Sequence, residues 1–314
     1  MEPALQWGLD FIRAVQGYAN PPLTAVMRII TAFGGVSMFL ILLPFICLCV
    51  DEKKGLRLYA AVLISVWINL SLKFLLNQPR PFFEGYDPSV GLIGERMGGL
   101  PSGHAQNTLV MFLIAASWIK KRWAYICAAI CAALLCFLIG FSRIYLGVHF
   151  PTDVAAGWIL GGVILCGYFL LGGRIEALLA RGGFRAGMYA SAAVSFIMIL
   201  YLPSEELLLP GGILLGIGAG YCLNKRYVGF SSNALLGRGI KKYLTLAVRF
   251  VLGIAVFMPL LFAAGKIIPQ NVNSNNEKLY IFACYTLAGL WVSVAAPWVF
   301  VKLRLAGVEG KDDR

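Results

Sequence analysis

Nine long apolar runs, separated by charged turns, limit most strongly what this chain can fold into. Each run approaches or reaches the roughly 20 residues that a helix needs to cross a bilayer. Charged residues make up 13% of the chain, about half the share found in soluble globular proteins. We therefore predict an all-α, polytopic membrane helical bundle of about nine transmembrane helices. The predicted spans lie near residues 30–50, 57–76, 103–119, 123–141, 153–172, 186–202, 208–223, 243–264 and 279–301.

The distribution of lysine and arginine predicts the orientation of these spans, because cationic loops stay on the cytoplasmic side. Of the 27 cations, 18 lie in the turns after spans 1, 3, 5 and 7 or in the C-terminal tail. We therefore expect the N-terminus outside and the C-terminus in the cytoplasm. The same loops account for the net charge of +12, so no nucleic-acid partner is expected. Residues 3–20 place apolar side chains at helical spacing, which predicts a helix lying in the membrane surface.

Eight cations are predicted on the outer face, where positive charge is disfavoured, and three of them are grouped near the chain's histidines. Lys73 lies near the outer end of span 2, Arg80 follows seven residues later, and Arg143 lies just beyond span 4. A single such lysine would normally reach to the membrane–water interface. The chain's two histidines, His104 and His149, lie on the same predicted face. This grouping indicates a bound anion and a reactive site rather than separate interfacial residues.

These residue types can carry phosphoryl transfer. Arginine forks hold phosphate oxygens in pairs, and lysine adds a point charge. The helix start at Pro101 and Ser102 would direct the amides of Gly103 and His104 toward an anion. A neutral histidine can attack phosphorus, and Asp153, one turn after a histidine, can hold its tautomer. We see no set of metal ligands in the sequence, so we expect a reaction without metal or other cofactor.

Three motifs in this order resemble the type 2 phosphatidic acid phosphatase superfamily, which is related to the vanadium haloperoxidases. They are K-x6-R-P at Lys73–Pro81, P-S-G-H at Pro101–His104, and S-R-x5-H-x3-D at Ser142–Asp153. All three match without departure and fall on one predicted membrane face. The resemblance implies a helical core over residues 1–202, comprising the surface helix and spans 1–6. Residues 203–314, with spans 7–9, would be an accessory membrane region that binds lipid, shields the core or forms a homodimer.

The resemblance also implies a role for each matching residue. His149 would be the nucleophile that forms a phosphohistidine, oriented by Asp153. His104 would protonate the leaving group and then activate water. The residues that would bind the substrate phosphate are Lys73, Arg80, Ser102, Gly103 and Arg143.

We therefore expect an integral-membrane phosphatase that acts on a lipid phosphate or diphosphate at the outer face. The alternatives are a phosphotransferase to an alcohol acceptor, a sugar-phosphate phosphatase, and a lipid transporter or scramblase. The expected location is a bacterial inner membrane with a periplasmic site; the alternative is an endoplasmic reticulum membrane with a lumenal site. Residues 78–101 form a long, glycine-rich connection with Phe82 and Phe83. We interpret it as a cap over the phosphate site that meets lipid chains.

Overall fold

The computed structural model describes residues 3–95, 97–200, 205–232, 239–267 and 275–308. Its helices are α1 Pro3–Gln16, α2 Pro21–Ala32, α3 Val36–Phe45, α4 Glu52–Leu76, α5 Gly103–Ala116, α6 Arg122–Tyr145, α7 Pro151–Leu200, α8 Leu208–Leu223, α9 Ile240–Ile267, α10 Asn275–Leu290 and α11 Ala296–Lys302. Short π-helical turns follow α3, α8 and α10 at Ile46–Val50, Asn224–Val228 and Trp291–Ala295. Two short strands, β1 Phe230–Ser231 and β2 Gly307–Val308, pair antiparallel with Phe230 opposite Val308. The prediction of an all-α fold is confirmed.

Five of the described helical segments are long and apolar enough to cross a membrane. A sixth candidate combines Pro21–Ala32 with Val36–Val50, which meet at a bend of 45°. Gly183 has left-handed φ (62°) and interrupts α7, so the predicted fifth and sixth spans belong to one broken helix. The prediction of a membrane protein is therefore confirmed, while nine spans and the orientation of the termini stay predictions.

The chain divides into two compact units, Met1–Phe39 with Ile64–Leu171, and Leu40–Leu63 with Gly172–Arg314. In the first unit, Leu9 and Ile12 of α1 are buried against Ile144 and Phe150. Burying each such side chain contributes about 1.5–3 kcal/mol. The predicted helix at the N-terminal end is therefore present, and its inner face forms part of the core around the third motif. The domain boundary at residue 202 stays a prediction.

The second unit packs its helices through glycine. A Cβ added to Gly216 of α8 would lie 2.3 Å from the carbonyl oxygen of Thr286 in α10. Such small residues let transmembrane helices approach closely.

Arg249 of α9 is fully buried and donates to the carbonyl oxygens of Ser232 and Leu305, at 2.7 and 2.8 Å. Arg249 therefore ties the backbone around the small sheet to α9.

Candidate active site

The first unit brings the residues of all three motifs together. Lys73 lies in the last turn of α4, His104 in the first turn of α5, and Arg143 in the last turn of α6. Asp153 lies in the first turn of α7, and His149 lies in the connection before it. These elements and the connection 78–101 line an open cavity of about 640 Å³. Its lining comprises Lys73, Arg80, Phe82, Gly94, Glu95, Met97, Gly103, His104, Arg143 and His149.

His149 and Asp153 form a buried hydrogen-bonded pair. The Nδ1 atom of His149 lies 3.2 Å from Oδ2 of Asp153, and both side chains are almost fully buried. Asp153 also accepts hydrogen bonds from the Phe150 amide at 3.0 Å and from Gln78 Nε2 at 2.8 Å. Since a carboxylate accepts and does not donate, it holds the proton of the imidazole on Nδ1. The Nε2 atom is thereby left with its lone pair, as a nucleophile requires.

Arg80 supports the same tautomer from the other side of the ring. Its Nη1 lies 3.2 Å from Nε2 of His149 and also donates to the carbonyl oxygen of Val148 at 2.7 Å. Burial lowers the pKa of the His149 imidazole well below its ordinary value of 6.5, and the charge of Arg80 lowers it further. Burial also lowers the pKa of Arg80, to about 10. At neutral pH the arginine is therefore charged and the histidine is neutral.

A tight turn after α6 places Arg143 and His149 around one cavity. Gly147 has φ of +69°, a conformation that glycine adopts readily at the end of a helix. A Cβ at this position would lie 1.8 Å from the carbonyl oxygen of Val90. Gln16 of α1 donates to that same carbonyl and to that of Tyr145, each at 2.8 Å. The turn and the connection 78–101 are therefore packed against each other.

The cavity contains a set of cationic and backbone donors. Lys73 Nζ donates to the carbonyl oxygens of Gly98 and Gly99, at 2.5 and 3.0 Å. Arg143 is 2% exposed, and its Nε has no hydrogen-bond partner among the residues that the structure describes. The Oγ of Ser102 is equally buried and unpartnered within the described ranges, and Ser102 adjoins the cavity without lining it. Ser102 caps α5, so the first amides of that helix also lack intrahelical partners. These donors suit the oxygens of a phosphoryl group.

A buried polar network connects α4 to the start of α5. Asn69 donates to Gln106 Oε1 at 2.8 Å and to the carbonyl oxygen of Pro101 at 3.3 Å. Gln106 donates in turn to the carbonyl and hydroxyl oxygens of Ser65, at 2.9 and 3.0 Å. A Cβ at Gly103 would lie 2.9 Å from Oδ1 of Asn69. The glycine of the second motif is therefore needed for close packing against α4, beyond the access to an anion that its sequence position suggested.

Three residues of this site were missed by the sequence analysis. Glu95 forms ion pairs with Arg143 and, at 4.0 Å, with Arg80. Gln78 binds Asp153, and Asn69 supports the start of α5. Gln78 lies within the first motif, at one of its variable positions, and Asn69 precedes Lys73 by four residues, or about one helical turn. Their closeness to the motif residues could have indicated a role in the site. The sequence position of Glu95, in an irregular connection, gives no such indication.

Comparison with known proteins gives the family of the chain. Residues 54–175 match the family model for the PAP2 superfamily, and residues 209–308 match the model for the transmembrane extension of PAP2 superfamily phosphatases. Phosphatidylglycerophosphatase B of Bacillus subtilis is 30% identical over 168 residues, which are 51% of this chain and 78% of that protein. The chain belongs to the PAP2 superfamily. It is an integral membrane phosphatase that hydrolyses phosphoric monoesters.

A second relative is named for a sugar phosphate, and a solved structure is named for a phospholipid phosphate. Glucose-6-phosphatase 3 of Rattus norvegicus is 31% identical over 134 residues, which are 37% of this chain and 38% of that protein. The crystal structure of a transmembrane PAP2-type phosphatidylglycerolphosphate phosphatase from Bacillus subtilis superposes with a TM-score of 0.49 at 27% identity. The superposition covers 56% of this chain and 88% of that chain. The resemblance read from the three motifs is confirmed, while the roles of individual site residues stay predictions.

Proposed function

We propose that this PAP2 phosphatase hydrolyses a lipid phosphate at the outer membrane face through a phosphohistidine on His149. The observation that carries the proposal is the buried pair of His149 and Asp153 beside a cavity lined by three cations and a second histidine. Lys73, Arg80 and Arg143 hold the equatorial phosphoryl oxygens. Ser102 Oγ and the amides of Gly103 and His104 add uncharged donors at the helix start. Because three cations supply the positive charge, the reaction proceeds without a metal.

In the first step the Nε2 lone pair of His149 attacks phosphorus, and the bond from phosphorus to the alcohol oxygen breaks. His104 takes up a proton as the anionic substrate binds and donates it to that oxygen, so the lipid leaves as a neutral alcohol. Asp153 stabilises the positive charge that develops on the His149 ring as the P–N bond forms. The contact between Nδ1 and the carboxylate is already present before substrate binds.

In the second step water attacks the phosphorus of the phosphohistidine. His104 is now neutral and takes a proton from the water, while the P–N bond breaks and its electrons return to Nε2 of His149. Inorganic phosphate leaves, and both histidines regain their starting states. The balance is one ester and one water consumed for one alcohol and one phosphate.

The lipid character of the substrate is supported by the apolar surroundings of the site and by the Bacillus relative, whose name specifies a phospholipid phosphate. Phe82 lines the cavity, and Phe83 beside it is 36% exposed, with the two rings 5.2 Å apart. Such a pair can contact acyl or isoprenoid chains next to the phosphate. The rat relative favours a sugar phosphate as the second candidate. The outer-face location rests on the distribution of cations in the sequence.

The test is phosphate release by detergent-purified protein in the presence of EDTA. The panel comprises phosphatidylglycerol phosphate, phosphatidate, a polyprenyl diphosphate and glucose 6-phosphate, with His149→Ala as the control. We expect release from at least one lipid phosphate by the wild-type protein and none by the variant. Release from glucose 6-phosphate alone, or activity that survives His149→Ala, would contradict the proposal. Adding an alcohol acceptor and identifying its phosphate ester would reveal transfer in place of hydrolysis.

A further inference from the structure

The guanidinium of Arg143 has partners for two of its nitrogens, while the third, Nε, is buried and has none within the described ranges. Its Nη1 donates to Thr31 Oγ1 at 2.9 Å, and its Nη2 contacts Oε1 of Glu95. Nε and Nη2 together form one edge of the planar group, which is the edge that binds two oxygens of a phosphate at once. In the free enzyme this edge is therefore half occupied by a carboxylate.

The same carboxylate reaches a second cation of the proposed phosphate site. Oε2 of Glu95 lies 4.0 Å from Nη2 of Arg80. Glu95 lines the cavity together with His104 and His149, and its side chain is 31% exposed. It belongs to an irregular connection, where a Cβ added to the neighbouring Gly94 would meet no described atom within 4 Å. The carboxylate is therefore accessible from the cavity and bridges two arginines that a phosphate would bind.

A phosphate and the Glu95 carboxylate compete for these donors. Paired binding by Arg143 needs Nη2, which Glu95 holds, and two anions close together repel each other. Before substrate binds, the carboxylate neutralises an arginine that is 2% exposed and would otherwise be a costly unpaired charge. An incoming anion must therefore replace Glu95 with interactions that are stronger than those it breaks.

We propose that Glu95 is a specificity residue that excludes phosphodiesters by occupying the phosphate-binding edge of Arg143. A phosphomonoester carries about two negative charges at neutral pH, and a phosphodiester carries one. The monoester is therefore attracted to the two arginines strongly enough to displace the carboxylate. The attraction of the singly charged diester is too weak to do so. Ordinary membrane phospholipids are diesters and surround the protein at high concentration, so the site needs such discrimination against them. This inference rests on the proposed function, because it takes Arg80 and Arg143 as the phosphate-binding groups.

The experiment compares Glu95→Gln with the wild-type protein in detergent. It measures the inhibition constant of dihexanoyl phosphatidylglycerol, a soluble diester, and the KM of a short-chain phosphatidate. The readout is the ratio of the two constants. The neutral amide keeps the size of the side chain and removes its charge, so we expect the diester to bind about tenfold more tightly relative to the monoester. Glu95→Asp retains the charge and should keep a ratio near that of the wild-type protein.

Glu84→Gln is the matched control, because Glu84 is an exposed carboxylate of the same connection and does not line the cavity. Its ratio should equal that of the wild-type protein. An unchanged ratio of the two constants in Glu95→Gln would overturn the proposal. Equal weakening of diester and monoester binding in that variant would also overturn it. Calorimetric titration with inorganic phosphate and with the diester tests displacement without turnover. If the wild-type protein hydrolysed no ester, the proposed function would fail, and this titration would still decide the role of Glu95.

Discussion

At the scale of single residues, the site depends on a neutral imidazole held between a carboxylate and a guanidinium. Asp153 holds Nδ1 of His149, and Arg80 donates toward Nε2. Asp153 is fully buried and does not line the cavity, so it acts through the histidine and not on the substrate. Its contribution should therefore appear in the chemical step more than in binding.

Asp153→Asn should lower kcat by about 10²–10⁴-fold. The amide can present its NH₂ group to Nδ1, which favours the wrong tautomer, and it cannot stabilise the imidazolium. KM should change much less than kcat. Steady-state kinetics with a soluble phosphomonoester measures both constants. A large rise in KM with kcat intact would show that Asp153 contributes to binding instead.

The protonation of His149 gives a second prediction at this scale. Burial lowers its pKa well below 6.5, and Arg80, Lys73 and Arg143 lower it further. A lowered pKa favours the neutral form, so the nucleophile should remain neutral as the pH falls through 6.5 and gain its proton at lower pH. The chain contains two histidines, so ¹⁵N-histidine NMR gives two ring signals, and His149→Ala assigns them. Half-protonation of His149 at pH 6.5 or above would contradict this account.

At the scale of elements, the cavity depends on how the connections between helices pack. Gly147 ends the turn after α6 and lies against Val90. Arg13 of α1 holds Asp87 of the same connection, with Nε and Nη2 at 2.9 and 2.8 Å from one carboxylate oxygen. Arg28 of α2 donates to the carbonyl oxygen of Leu92 at 2.9 Å. The connection is therefore tied to α1, to α2 and to the turn that carries His149.

Gly147→Ala should destabilise the protein and reduce activity at least about tenfold. The left-handed conformation costs alanine about 1–2 kcal/mol, and its Cβ would collide with the Val90 carbonyl. Gly162→Ala in α7 is the control, because a Cβ there meets no described atom within 4 Å. Thermal inactivation and kcat/KM of the two variants provide the comparison. Equal behaviour of both variants would show that the turn tolerates a side chain.

The sequence allowed many of the helices and site contacts to be predicted, but not all of them. His149 and Asp153 are four residues apart at a helix start, so their contact follows from local geometry. The other motif residues could be grouped because the apolar runs assign them to one membrane face. Glu95 could not be found in this way, because its contacts depend on the path of an irregular connection. Gln78 and Asn69 lie within or one turn before the first motif, but their contacts with Asp153 and with Gln106, 37 residues away, could not be predicted from those positions.

At the scale of the whole molecule, the chain is an integral membrane protein of the PAP2 superfamily, and its orientation in the membrane is a prediction. The first family model covers residues 54–175, which include all three motifs, and the extension covers residues 209–308. The sequence predicts that the connection 78–101 faces outward and the turn at Lys120–Arg122 faces the cytoplasm. The proposed access of lipid phosphates from the outer face depends on this orientation.

Cysteine labelling tests the orientation directly. Glu84→Cys and Lys120→Cys are introduced separately into a cysteine-free variant that retains activity, and intact bacterial cells are treated with a membrane-impermeant maleimide. Glu84→Cys should react in intact cells, whereas Lys120→Cys should react only after the membrane is opened. The reverse pattern would place the cavity on the cytoplasmic side and overturn the proposed location.

The central claim is that the phosphoryl group is carried covalently by His149. The most direct measurement is to quench the protein with base during turnover of a ³²P-labelled phosphate ester in EDTA, and to locate the bound label by peptide mapping. We predict a base-stable, acid-labile phosphoramidate on His149, which forms in Asp153→Asn more slowly and is absent from His149→Ala. Label on another residue, or turnover with no label bound to the protein, would contradict the account.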